Sequence, residues 1–301
     1  MHKLIARTVA TSAIALLPVF GSSCATIGLG GVETAAANVM VSDEQESQLG
    51  LQVKTELETK QNVKYVADPQ VADYVRDVAN KVLVHAQKER PAVKWTVNVI
   101  DDPQTVNAFA TPGGYLYVYT GLLLLADNEA QLAGVMGHEA GHVVARHSAQ
   151  QMVDQFGFDA VAQLALGQNP GVLGQLGKAV VEKGALLAHS RAHEDEADEY
   201  GARYGSAAGY DPHALSGFFT KLKAKVGDTS TLTTWLSDHP ATSSRITHIN
   251  SYAQQNGLNG KDLGADRFVA IRARVAALPP SSGVSNAPAP RPAAPANSPP
   301  N

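Results

Sequence analysis

GVMGHEAGHVVARH, residues Gly134 to His147, is apolar over most of its length yet carries two ring-bearing bases and a carboxylate in its middle. The flanks LAGVMG and VVA are apolar nearly all round, which marks a buried helix. Unpaired polar groups in such a helix cost several kcal/mol, so His138, Glu139 and His142 need a physical reason to be there. His138 and His142 stand four apart and project from one helix face, a turn from each other. That spacing lets both imidazoles reach one zinc ion at about 2.0–2.1 Å. Glu139, next to the first histidine, is placed to hold a water rather than the metal. Gly134, Gly137 and Gly141 each give up about 1 kcal/mol relative to alanine in a helix interior. The sacrifice makes sense if another backbone or a substrate comes close to this helix.

A catalytic zinc site needs a third protein ligand. In the metzincin pattern a histidine stands six after the second ligand, but that position here is Ser148. His147, five after His142, falls on another face of a continuous helix and reads as packing or capping. The stretch SRAHEDEADEYG offers a different answer. Its Glu194 and Asp198 are four apart and share a face, while Glu196 points elsewhere. Glu194 can complete the sphere, and Asp198 can hydrogen-bond a ligand or a substrate group. The bland alternative is an acidic solvated face, which is what such charge runs usually are. Ala197, Gly201 and Gly205 form a small-residue stripe that would let two glycine-bearing helices pack closely.

Outward from these stretches the chain reads as mainly helical with a small sheet, an α+β class. Ser42 with Gln45 three residues on predicts a capped helix running to about Thr59. DPQVADYVRDVANKVLVHAQKE places Val71, Tyr74, Val75, Val78, Val82 and Leu83 on one helical face. Alternation in AVKWTVNVID predicts a half-buried strand, NAFATPGG reads as a loop, and YLYVYT from Tyr115 to Thr120 as a second strand. Asp127 or Asn128 can cap the next helix, with Glu129 in its first turn. Ser148 to His189 reads as two loosely specified helices broken at QNPG. Helices follow over SRAHEDEADEYGARYG, closed by Gly209 and Asp211-Pro212, over PHALSGFFTKLKAKV, and last over ATSSRITHINSYAQQ.

A chain of 301 residues, 44 % apolar and 17 % charged, can bury a proper core, and its net charge of −4 gives no general attraction to nucleic acid. Lys3 and Arg7 precede TVATSAIALLPVF, an apolar run of export-signal length that predicts a signal peptide over residues 1–23. Cys24 is the only cysteine, which excludes an intrachain disulfide, and its place after the signal resembles a lipoprotein cleavage site. Lipidation there would anchor the protein to the outer membrane; cleavage near Ala25 would leave it soluble. Residues 24–41 read as a leader, 42–277 as a metallopeptidase domain, and 278–301, with eight of the sixteen prolines, as a disordered tail. No Gly-x-Ser-x-Gly occurs, so no rival nucleophile stands out.

NAFATPGGYLYVYTGLL, HEAGHVVARH, SRAHEDEADEYG, AGYDP and HPATSSRI, in that order between about Ser42 and Asn256, resemble the gluzincin family of the CAAX prenyl proteases, HtpX-type proteases and exported BepA-type proteases. The resemblance implies a zincin-like fold and one Zn2+ per chain, held by His138, His142 and Glu194. It implies Glu139 as general base and Asp198 as proton donor. It further implies that a substrate chain adds to the sheet edge, here GYLYVYTG with Tyr115 and Tyr117, and that Asn107 and His239 lie near the scissile carbonyl or the metal. Arg245 would anchor the HP loop to a carboxylate. The implied activity is that of an exported zinc endopeptidase cutting misfolded or misassembled envelope proteins. A non-catalytic, zinc-stabilised chaperone gripping extended chains is the alternative. No segment after the signal has the apolar length of a membrane span, so intramembrane prenyl-protein chemistry is not implied.

Overall fold

Ser42 caps the first helix as its spacing from Gln45 predicts, with both halves of the capping box formed. The computed structural model describes residues 41–157, 159, 161–162, 170–183, 189–225 and 239–279. The expected signal, Cys24, the leader up to residue 40, residues 168 and 169 of the expected QNPG break and the tail from residue 280 lie outside them, while Pro170 and Gly171 of that stretch open a helix. Helix α1 runs over Asp43–Thr59. Helix α2, Pro69–Glu89, starts on Asp68, whose side chain accepts from the Gln70 and Val71 amides, and buries Val71, Val75, Val78, Val82 and Leu83 as its periodicity predicts.

The sheet corrects two expectations. Part of NAFATPGG is a strand, because Ala108–Thr111 (β2) pairs antiparallel with Tyr115–Tyr119 (β3). The hairpin turns through Gly113 and Gly114 at φ of 80° and 96°, a region that favours glycine. Thr96–Ile100 (β1) pairs parallel with the other side of β3, giving the order β1-β3-β2. GYLYVYTG is therefore the central strand and cannot receive a substrate chain, since both of its sides are already hydrogen-bonded. The edge that faces the buried HExxH helix is β2. Tyr117 is fully buried and stacks on Phe109 with centroids 4.6 Å apart, while half-buried Tyr115 packs on α1 at Gly50, so Tyr117 has no surface to offer a substrate.

The helices continue as α3 (Thr120–Leu125), α4 (Glu129–Val144, capped by Asn128), α5 (His147–Phe156), α6 (Pro170–Lys183), α7 (Arg191–Ala207, capped by Ser190), α8 (Ala214–Lys225) and α9 (Ser243–Gln255). A further helix, α10 (Ala265–Ala276), follows the one expected to be last. Its pattern is weak because it buries only Phe268 and Val275 and has no side-chain cap, its N-cap being Gly264.

Each face of the sheet carries its own core. One packs Val97, Val99, Leu116 and Val118 under α2, α4 and α8; the other packs Ile100, Phe109, Tyr117 and Tyr119 with residues of α1, α5 and α6. Helix α4 is buried from Glu129 to Val143, which accounts for its all-round apolar character. It lies against α7 at glycine contacts: a Cβ on Gly137 would stand 3.1 Å from the Gly201 Cα, and one on Gly201 2.9 Å from the Gly134 carbonyl oxygen. Gly205, expected in the same stripe, has open space around it. Among the described residues no helix is long and apolar enough to cross a membrane.

Candidate metal centre

The close approach of α4 and α7 brings three candidate ligand groups to one point. His138 and His142 project from one face of α4 with their Nε2 atoms 3.0 Å apart. From the first turn of α7, Glu194 sets Oε1 3.5 Å from His142 Nε2 and Oε2 3.7 Å from His138 Nε2. A tetrahedral site with bonds of about 2.0–2.1 Å holds its ligand atoms about 3.4 Å apart. The observed triangle of 3.0, 3.5 and 3.7 Å fits that edge length. All three residues are buried.

The charge states suit the same purpose. Burial holds both imidazoles well below their ordinary pKa, so each keeps a neutral ring with a lone pair to give. Burial pushes the Glu194 carboxyl up, but His239, His138 and Arg245 together pull it below its ordinary value and keep it ionised. Two neutral imidazoles and one carboxylate form a donor set for a divalent cation. His239 joins them from the loop before Pro240, its Nδ1 3.2 Å from His138 Nε2 and 3.0 and 3.1 Å from the Glu194 oxygens.

Further side chains converge on this group. Asp198, one turn beyond Glu194, places Oδ1 2.9 Å from His138 Nδ1. Arg245 donates to the same carboxylate from Nε and Nη2 at 2.8 and 2.6 Å. Its Nη1 reaches Glu194 Oε2 at 2.6 Å and the Pro240 carbonyl at 3.2 Å, so Arg245 ties the HP loop to two acids of α7. Glu139 accepts from the Ala110 amide of the edge strand at 3.2 Å, and its other oxygen lies 3.6 Å from His239 Nε2. Asn107 is buried just before β2, its carbonyl accepting from the Tyr119 amide; its side-chain Oδ1 has no hydrogen-bond partner among the described residues. A cavity of about 300 Å³ opens beside Glu194, lined also by His189, Arg191, Asp195, Thr242 and Arg245.

Two further histidines lie beside this group, His147, which the sequence reads as packing or capping, and His189, which it does not single out. His147 is fully buried, with Nδ1 2.9 Å from His142 Nδ1 and Nε2 3.3 Å from Glu196 Oε2. His189 stacks on His142 with centroids 3.9 Å apart and planes 19° apart. Near-parallel rings send their in-plane lone pairs side by side rather than to a common point, so the stacked pair is a packing contact. Spacing on one helix could not have found these partners, because they come from other segments.

Comparison with known proteins places this chain in a family. The model of peptidase family M48 matches residues 69–253, more than half of the chain. The mitochondrial metalloendopeptidase OMA1 of Schizosaccharomyces pombe is 34 % identical over 60 % of this chain and 52 % of its own length. The putative beta-barrel assembly-enhancing protease of Vibrio cholerae is 30 % identical over 65 % of this chain and 42 % of its own. The beta-barrel assembly-enhancing protease of Escherichia coli is 28 % identical over 84 % of this chain and 52 % of its own. The chain thus spans about half the length of these relatives. It belongs to peptidase family M48.

Proposed function

We propose that this chain is a zinc-dependent endopeptidase that hydrolyses peptide bonds by an activated water. The observation that carries the reading is the buried triangle of His138, His142 and Glu194 with Glu139 beside it. A zinc ion held there would supply Lewis acidity to the scissile carbonyl and lower the pKa of a water. Glu139, fixed by the Ala110 amide, takes the proton of the attacking water and passes it to the leaving amine. His239 lies between Glu139 and Glu194 and is assigned to the developing oxyanion. Asp198 is assigned to orienting His138 rather than to proton donation, because Arg245 and His138 occupy its two oxygens.

A substrate chain in this reading pairs with β2, whose Ala110 amide points away from β3 toward Glu139. Asn107, at the head of that strand, is assigned to substrate positioning. Export is proposed from the basic and apolar N-terminal residues, and attachment to the outer membrane from Cys24. The bacterial relatives are named for enhancing beta-barrel assembly, which supports substrates among envelope proteins.

The test is casein cleavage by the purified protein. Chelation should abolish it, one equivalent of Zn2+ should restore it, and Glu139→Gln should keep the metal while losing about 10²–10⁴-fold in rate. A Glu139→Gln variant that cuts at the parental rate would refute the assignment.

A further inference from the structure

We propose that His147 is a positioning residue for the metal centre, holding the ligand His142 in the correct tautomer through a His142–His147–Glu196 hydrogen-bond chain. The Nε2 of His142 faces His138 and Glu194, so the ring's direction depends on what holds its other nitrogen. That nitrogen lies 2.9 Å from His147 Nδ1, and only one of the two can carry the shared proton. A neutral ring whose Nε2 lone pair is given to a metal carries its proton on Nδ1. His142 therefore donates, His147 Nδ1 accepts, and the His147 proton stands on Nε2, facing Glu196 Oε2 at 3.3 Å. The two ligand histidines are backed alike: His138 by Asp198, and His142 by His147 with Glu196 behind it.

The backbone makes this contact possible. Helix α4 ends at Val144, and Arg146 sits in the left-handed region at φ 60°, so the chain turns and His147 opens α5 instead of continuing along α4. Arg146 is held in that turn by Glu46 Oε1 at 2.9 Å and by the Val41 carbonyl. His147 is stacked on His193, with centroids 4.2 Å apart and planes 13° apart, which fixes its ring in place. Glu196, between Glu194 and Asp198, is thereby given a purpose that an exposed acidic face would not require.

This inference rests on the metal-centre reading, and the experiment separates the two. The purified full chain, stripped of metal, is titrated with Zn2+ against a chromophoric chelator as parent, His147→Leu and His147→Asn. Loss of the acceptor in His147→Leu should weaken Zn2+ binding about 10–100-fold. Asparagine, whose amide oxygen can stand where Nδ1 stood, should recover affinity to within about threefold of the parent. Equal binding by His147→Leu and parent, or no recovery with asparagine, overturns the proposal. Should His147→Leu fail to fold, nitrogen-15 spectra of the zinc-loaded parent decide: a proton on His142 Nδ1 and on His147 Nε2 supports it, and the opposite tautomer of His147 overturns it. A parent that takes up no zinc removes the metal-centre reading itself, and this inference with it.

Discussion

The Oδ1 atom of Asp198 lies 2.9 Å from Nδ1 of His138, with neither side chain exposed to solvent. The same carboxylate receives a two-pronged Arg245, so it is fixed by one partner and fixes the other. Burial pushes the Asp198 carboxyl up and the Arg245 guanidinium opposes that push. Asp198→Asn keeps the shape and removes the charge, leaving Arg245 with Glu194 as its ion-pair partner among the described residues. A stability loss of about 3 kcal/mol is expected, the low end for breaking a buried pair, together with Zn2+ binding weakened about 10–100-fold. Denaturant unfolding and metal titration check both. A variant that loses turnover but keeps parental stability and metal affinity would return Asp198 to the proton-donor role.

Gly201 and Gly205 sit on the same helix with different surroundings, which gives a paired test of the α4–α7 contact. A Cβ on Gly201 would meet Leu215 Cδ2 at 2.8 Å, the Gly134 carbonyl at 2.9 Å and the His138 amide nitrogen at 3.2 Å. The leucine can move, but the α4 backbone can yield only by parting the helices. Gly201→Ala should cost about 1–3 kcal/mol and, by spreading Glu194 from the histidines, weaken metal binding too. Gly205→Ala meets nothing within 4 Å and should be neutral or stabilising by up to about 1 kcal/mol. The urea midpoint should fall for Gly201→Ala and hold or rise for Gly205→Ala; an equal fall in both would show that the close contact is not what requires Gly201.

What the sequence revealed and concealed follows from the reach of periodicity. His138 with His142, and Glu194 with Asp198, each lie within one unbroken helix, so a spacing of four correctly placed each pair on one face. His147 lies past the left-handed turn at Arg146, where counting along α4 assigns it to the wrong face. β2 was hidden because AFAT is short and followed by Pro-Gly-Gly, and what makes it a strand is pairing with β3 rather than any propensity of its own. The edge position went to β3 for the opposite reason: Tyr115–Tyr119 has strong strand character, and strong character marks a central strand as readily as an edge.

The corrected edge makes its own prediction. Ala110 is opposite Leu116 in the hairpin, and its amide donates to Glu139 instead of to β3. Proline is tolerated on an edge strand where the N–H points away from the sheet, so Ala110→Pro should fold, losing no more stability than the bond to Glu139 supplies, about 1.5–3 kcal/mol. It removes the donor that steadies Glu139 and obstructs pairing by a substrate strand. Loss of a hydrogen bond to a charged group is worth about 1.5–3 kcal/mol, so kcat/KM for casein peptides should fall at least about tenfold. Parental kcat/KM in a folded variant would mean that substrate is held elsewhere.

Glu129 was read as a first-turn acid suited to the helix dipole, but it is a buried anchor, its side chain 1 % exposed. It accepts from Tyr74 of α2, Lys81 of α2, Tyr210 and Arg267 of α10, joining the start of the HExxH helix to elements far apart in the chain. Burial pushes its carboxyl up, yet the hydrogen bonds from Arg267, Tyr210, Tyr74 and Lys81 win and lower it from 4.5 to about 2. Because the folded value is the depressed one, this stabilisation is present above pH 4.5 and is lost as pH falls toward about 2. At about 1.4 kcal/mol per pH unit it amounts to at most about 3.5 kcal/mol at neutral pH. Glu129→Gln should therefore unfold at lower urea than the parent at pH 7, and the gap should shrink steadily between pH 4.5 and about 2. Comparing the two proteins at each pH cancels the titration of the other carboxylates. A gap as wide at pH 3 as at pH 7 would mean that the glutamine variant loses packing rather than charge, and that the four donors stabilise the fold without depending on an ionised Glu129.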